Sequence, residues 1–381
     1  MDNHIQSVVD KETETLLDVR QDAKTPVFEE PEGLDKNGSV DWGDYPIDSV
    51  LIRSETRTVY EVVRRIKADQ YILNPDFQRD FVWDEFKQSR LIESVLMRIP
   101  LPVFYLAEQI DGKIVVVDGL QRLMTFYRYL ENDFALKGLS GASKDLNEKV
   151  FEKLAPKYQN RIEDTNLILY LIDSKVPERA RLDIFERVNS GVPLSRQQMR
   201  NCLYVGQATK WLKRQAEIEW FLKATDGRLD PKPMRDRELI NRFCGFFLLG
   251  VDSYKGDMDE FLAKTLLHMN EMSDAELNDL SQKFQVSMKN NFKVFGRQAF
   301  RKHTSPAQKR SLINASLFDV FSVIMTKYDE NYISNRISAI QEKFYKLMLD
   351  EDFSRSISLS TNSRNRVIER FRVANEAFQE L

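Results

Sequence analysis

The sequence predicts an α+β protein, with a small mixed sheet and its helices first and a mostly α-helical C-terminal domain after them. Short apolar, β-branched runs at 103–106, 114–117 and 166–173 have the length and composition of buried strands, and all precede residue 200. Beyond that point strand signals nearly vanish. Apolar residues recur there at helical spacing over 203–211, 239–249, 261–269, 277–288, 312–325 and 333–348. A chain of 381 residues also exceeds what one hydrophobic core organises. The reading is therefore two domains, 46–205 and 206–381, after a tail of residues 1–45.

Residues 1–45 are acidic, lack sustained periodicity and contain Pro26, Pro31 and Gly33, the pattern of a flexible tail with one short helix near 8–19. Thr58 to Glu61 fits a capping box, and Val59, Val62, Val63 and Ile66 follow as one helical face. From Tyr71 to Trp83 runs a loop dense in aromatics. Phe77, Phe81 and Trp83 anchor it, and Arg79 in its middle either pairs with a carbonyl or acid, or serves a ligand. Asp84 caps a helix whose Phe86, Leu91, Ile92, Val95 and Leu96 face inward, ended by Pro100 and Pro102. Ile110-Asp-Gly-Lys113 is a two-residue hairpin signal, so the strands on either side pair antiparallel. The polar stretch 138–165 is helical or loop-like. Pro177 starts a helix with Ala180, Ile184, Phe185 and Val188 inward, leaving Arg187 and Asn189 beside the turn Ser190-Gly191. Ser195 to Gln198 is a second capping box.

The junction after 114–117 is where chemistry concentrates. Ile114 to Val117 run into Asp118-Gly119, after which Leu120, Leu123, Met124, Tyr127 and Leu130 repeat at helical spacing. A strand, a tight turn and a helix put first-turn N–H groups beside a loop that glycine lets approach closely, which makes an anion site. Arg122 in that turn opposes the helix dipole and becomes useful beside a phosphate. Asp118, at the strand end, is placed for a ribose hydroxyl, a divalent metal or a water. The same spacing also describes a plain corner with a solvated Arg and a capping Asp.

With 42% hydrophobic and 30% charged residues the composition is that of an ordinary soluble protein. No apolar run is long enough to cross a bilayer and residues 1–20 are acidic and polar, so a cytoplasmic protein without membrane contact is expected. Cys202 and Cys244 sit in apolar helical contexts and read as reduced core residues. The net charge of -3 conceals an acidic start: residues 1–50 hold 13 Asp/Glu against 4 Lys/Arg, leaving 52 Lys/Arg against 46 Asp/Glu in the rest. A mildly basic body is compatible with a nucleic-acid partner. His4, His268 and His303 are isolated from one another and from acidic clusters, which argues against a His-based metal nuclease or a Ser-His-Asp centre.

Two basic segments stand out. No acid occurs between Gln285 and Phe318, where Lys289, Lys293, Arg297 and Arg301 are spaced by four and would form a helical stripe able to track a phosphate backbone. A second patch includes Arg364 and Arg366, among Ser and Asn residues able to donate to phosphate. Solvated helix faces are the bland alternative for both.

Four segments in this order, Phe77-Gln-Arg-Asp-Phe-Val-Trp83, Ile99-Pro-Leu-Pro102, Val117-Asp-Gly-Leu-Gln-Arg-Leu123 and Ile184-Phe-Glu-Arg-Val-Asn-Ser-Gly191, resemble the N-terminal domain of GmrSD-type modification-dependent restriction enzymes, a relative of the ParB/sulfiredoxin-like fold. The resemblance covers residues from about 50 to 205. It implies a nucleotide-binding, often nucleotide-hydrolysing domain of bacterial anti-phage systems. The family's Asp-Gly-Gln-Gln-Arg motif maps onto Asp118, Gly119, Leu120, Gln121 and Arg122, with Leu120 replacing an amide. By position, Arg79, Arg187 and Asn189 would line the same pocket. Longer relatives carry a His-Asn-His-type nuclease domain, which three isolated histidines do not provide here.

The resulting expectation is an NTPase coupling NTP and magnesium to DNA sensing. Gly119, Leu120, Arg122, Arg79, Arg187 and Asn189 bind the nucleotide, Asp118 positions metal or water, Gln121 orients a water or a phosphate oxygen, and Arg79, Arg122 and Arg187 compensate developing negative charge. DNA falls to Lys289, Lys293, Arg297, Arg301, Arg364 and Arg366. The rivals are a non-hydrolysing DNA-binding or nucleotide-gated module that recruits a separate nuclease or defence subunit, and a magnesium-dependent DNA nickase.

Overall fold

The computed structural model describes residues 28–34, 52–73, 83–109, 111–188 and 194–379. They fall into two compact units, Val40–Val205 and Met1–Ser39 with Gly206–Leu381.

The first unit is built on a five-stranded mixed sheet, β1 (Ile52–Thr58), β2 (Tyr71–Ile72), β3 (Phe104–Glu108), β4 (Ile114–Asp118) and β5 (Asn166–Ile172), in the order β1-β5-β3-β4-β2. β3 and β4 pair antiparallel as the hairpin signal predicts, with Gly112 at φ 81° in the connection. β5 then inserts parallel to β3 and antiparallel to β1. The helices are α1 (Val59–Lys67), α2 (Glu85–Leu96), α3 (Leu120–Leu130), α4 (Pro156–Glu163), α5 (Glu178–Val188) and α6 (Arg196–Leu203). Thr58, Asp84 and Ser195 cap α1, α2 and α6 as their sequences predict, accepting from the N–H groups of Glu61, Lys87 and Gln198. The core lies on one face of the sheet: Phe104, Leu106, Val116 and Leu169 meet Val62 of α1, Ile92 of α2 and Leu123 and Phe126 of α3. Truncating any of these large side chains to alanine costs about 2–5 kcal/mol.

Two expectations are corrected in this unit, and one strand carries no sequence signal. β1 has no apolar alternation; it pairs antiparallel with β5 along its whole length, from Ile52 opposite Ile172 to Thr58 opposite Asn166. Its charges find partners at the sheet edge, Arg53 donating to Glu108 at 2.9 Å and Asp173 at 3.1 Å, and Arg57 to the Tyr71 hydroxyl at 3.0 Å. Tyr71 and Ile72, read as loop, form β2 by pairing parallel with Ile114 and Val115. Phe86 does not join the buried stripe of α2. It is 59% exposed, and its ring lies over Gly138, where an added Cβ would come within 2.6 Å.

The second unit is helical: α7 (Gln207–Gln215), α8 (Glu219–Ala224), α9 (Arg235–Cys244), α10 (Met258–Glu271), α11 (Asp274–Phe295), α12 (Ala315–Ile324), α13 (Glu330–Ser334), α14 (Ile337–Leu349), α15 (Glu351–Ser356) and α16 (Arg364–Phe378). Its interior encloses an ion network. The Asp319 carboxylate accepts from Arg242 at 2.8 and 2.7 Å and from Arg370 at 2.7 Å, with all three side chains out of solvent. Both cysteines are free and buried. Residues 28–34 are not a loose tail: Glu29 and Glu32 bridge to Leu229 and Asn314, and Arg235, Arg301 and Lys302 pair with Glu30, Glu29 and Glu32. The acidic residues of this stretch are held by cations far along the chain. The short helix expected near 8–19 lies outside the described residues.

Candidate functional site

The strand–turn–helix junction forms as the sequence predicts. Asp118 ends β4, Gly119 takes φ 98°, and the Leu123 N–H donates to the Gly119 carbonyl at 2.9 Å to start α3. Glycine is required here twice over. The left-handed backbone disfavours any Cβ, and an added Cβ would stand 2.4 Å from the buried Phe104 ring. Gly119, as the N-cap of α3, has no side chain with which to cap the first turn.

Around that turn the side chains are already engaged. The Arg122 guanidinium donates to the carbonyls of Pro102 and Val103 and to the Asp118 carboxylate at 3.0 Å, and lies 4.2 Å from the centre of the Phe104 ring. Burial pulls its pKa below the usual range, and Asp118 opposes the shift. Arg122 therefore acts as a clip, tying the segment before β3 to the end of β4. The geometry corrects the expectation of a guanidinium facing an open phosphate seat. Gln121 is engaged as well: its Oε1 accepts from the Trp83 N–H at 3.3 Å, the Trp83 carbonyl accepts from Gln88, and Gln88 accepts from Arg128. This relay fixes the residue that follows the 74–82 segment against the first turn of α3. Sequence reading missed it, because Gln88 and Arg128 carry no signal beyond being polar positions on helices.

Leu120 is half-buried and packs against the core, so the departure from the amide of the motif falls on a position facing inward. The structure brings Asp118, Gly119, Gln121 and Arg122 together. It places Arg187 on the exposed last turn of α5, and Arg79 and Asn189 lie outside the described residues. Among the described residues no group of three or more His, Cys, Asp or Glu is placed to hold a metal ion, so Asp118 would contribute a single carboxylate.

In the helical unit the residues of the expected DNA-tracking stripe are ion-paired and do not lie on one helix. α11 ends at Phe295, so Lys289 and Lys293 lie on it and Arg297 and Arg301 do not. Lys289 and Lys293 both pair with Glu330, Arg297 pairs with Asp226 at 2.6 Å, and Arg301 is buried against Glu29. Arg366 pairs with Glu369 at 2.7 Å, and Arg364 stays exposed at the start of α16. The absence of acids in 285–318 is a local property of sequence. The partners arrive from elsewhere in the chain.

A small mixed sheet whose β4–α3 corner turns on a glycine and is locked by an arginine defines a compact α+β domain with its candidate site at a strand–helix junction. Residues 59–205 match the family model described as GmrSD restriction endonuclease, N-terminal domain. No curated protein matches the chain. No helix among the described residues is long and apolar enough to cross a membrane.

Proposed function

We propose that this chain is a component of a restriction or anti-phage system that binds a nucleoside triphosphate at the β4–α3 corner, and that occupancy gates its engagement with DNA or with a separate nuclease subunit. The observation that carries the reading is Gly119, held left-handed where no Cβ fits, at the N-cap of a helix to which it brings no capping side chain of its own. Such a turn offers a phosphate its dipole and backbone donors. Asp118 would hold a ribose hydroxyl or share a magnesium ion carried by the phosphates, and that ion would neutralise phosphate charge. Arg122 serves by keeping Asp118 and the segment before β3 in place.

Binding that gates is better supported than turnover. Asp118 is occupied by Arg122 and the Gln121 carbonyl oxygen by Trp83, the two groups a hydrolytic water would need. Turnover is the second reading, favoured by the partial exposure of Asp118, whose side chain is 31% open. Calorimetry of each NTP with magnesium, alongside phosphate release with and without DNA, separates them. Gating predicts saturable binding that inorganic triphosphate competes and Gly119→Ala weakens, with negligible release. Rapid release abolished by Asp118→Asn establishes turnover. No binding of any NTP overturns both.

A further inference from the structure

The geometry points to a nucleic-acid backbone site in the first unit, in a cleft of about 640 Å³ between the C-terminal end of α2 and one face of α4. The inference rests on the reading that DNA is a partner of this chain, and adds where the contact is made. Lys157, Asn160, Arg161 and Asp164 recur at helical spacing, so α4 lines the cleft along its length; Arg98 and Ile99 form the opposite wall. Arg98, Lys157 and Arg161 line it with one carboxylate, Asp164, and the space is partly open to solvent. A mononucleotide pocket encloses most of its ligand and is predominantly apolar. An open, cationic, amide-lined trough suits a phosphodiester strand that passes through it.

What marks these cations is that the fold does not use two of them. Arg161 has a structural task, donating to the Leu96 carbonyl at the end of α2 at 2.9 Å. Neither Arg98 nor Lys157 makes an ion pair with a described residue; the Lys157 ammonium only stands 4.6 Å from the Tyr158 ring centre. The helical unit, by contrast, pairs nearly the whole of its expected stripe with acids. Lys157 lies in the first turn of α4, where a cation gains nothing from the helix dipole. Arg98 takes φ 61° just past the end of α2, where the Ile99 N–H reaches back to Ser94 and the Arg98 N–H to Val95, a position that glycine ordinarily fills. A long cation is kept there against the preference of the backbone.

The cleft also abuts the candidate site. Ile99, Pro100 and Leu101 line it, and the next two residues supply the carbonyls that Arg122 holds. A strand seated in the cleft would therefore press on the segment that the Arg122 clip retains.

The test is anisotropy of a short labelled DNA duplex with the full chain, titrated with salt between about 50 and 200 mM, for the wild type and for Arg98→Gly combined with Lys157→Gln. Glycine suits the backbone at 98, so the variant is expected to melt no lower than the wild type, and circular dichroism checks this. Each phosphate contact contributes about 0.9 to the slope of log K against log salt, so the double variant should be shallower by about 1.8. DNA binding with an unchanged slope overturns the cleft and leaves the DNA reading standing. No DNA binding by the wild type overturns both. Binding of ATP or GTP that the same substitutions abolish, without DNA binding, overturns the nucleic-acid assignment in favour of a mononucleotide.

Discussion

Replacing Arg122 by alanine separates a clip from a ligand contact. The guanidinium gives one hydrogen bond each to the Pro102 and Val103 carbonyls, pairs with Asp118 at 3.0 Å and covers the Phe104 ring at 4.2 Å. Hydrogen bonds from a charged donor are worth about 1.5 kcal/mol each at the low end of their range. The ion pair adds at most about 1 kcal/mol, because Asp118 is a third exposed and solvent screens it. Burial of the cation offsets part of this, and the Pro102 carbonyl regains water once the side chain is gone. The net expectation is a loss of about 2–3 kcal/mol, read from urea unfolding of the full chain. Arg122→Lys should rescue little, since an ammonium on a flexible stem cannot fork across two carbonyls and a carboxylate. If Arg122→Ala unfolds within about 0.5 kcal/mol of the wild type while nucleotide affinity collapses, the clip is refuted and the side chain reaches the phosphate directly.

Other consequences follow from the same geometry. Asp319→Asn leaves Arg242 and Arg370 buried without their common anion and should cost about 3–5 kcal/mol by chemical denaturation; a loss below about 1 kcal/mol would mean water reaches the network. Burial pushes the Asp236 carboxyl up to about 6, opposed by the hydrogen bond from the Arg237 N–H, so the folded chain holds that proton more tightly than the unfolded one. The stabilising effect of this group is therefore complete below about pH 4 and is lost as pH rises through about 6. Asp236→Asn should gain up to about 3 kcal/mol over wild type at pH 7 and nothing near pH 4, and an equal difference at both pH values would contradict the assignment. Lys289→Gln with Lys293→Gln should make the salt slope of DNA binding shallower by no more than about 0.9, because the two ammonium groups share the Glu330 carboxylate; a drop of about 1.8 would restore the stripe.

Local rules were sufficient for much of the fold. Thr58, Asp84 and Ser195 are caps because a short side-chain oxygen satisfies an N–H two or three residues on, whatever the rest of the chain does. The β3–β4 hairpin and the strand–Gly119–α3 corner are likewise set within a few residues. β1 was invisible because it is held by a backbone ladder to β5, more than a hundred residues on, and as an edge strand needs no apolar period in Arg53-Ser-Glu-Thr-Arg57. The pairing of the basic stripe was hidden for the same reason in reverse: a run free of acids says nothing about which acids fold back onto it.

The amino-acid sequence by itself determined the division into a sheet-bearing and a helical part, the caps, the hairpin and the need for glycine at 119, since each depends on neighbours along the chain. Only the tertiary structure decided which charges remain available. Arg122, Lys289, Lys293, Arg297 and Arg301 are ion-paired and, among the described residues, Arg98 and Lys157 are not, because Coulomb attraction acts through space and its partners lie up to hundreds of residues away.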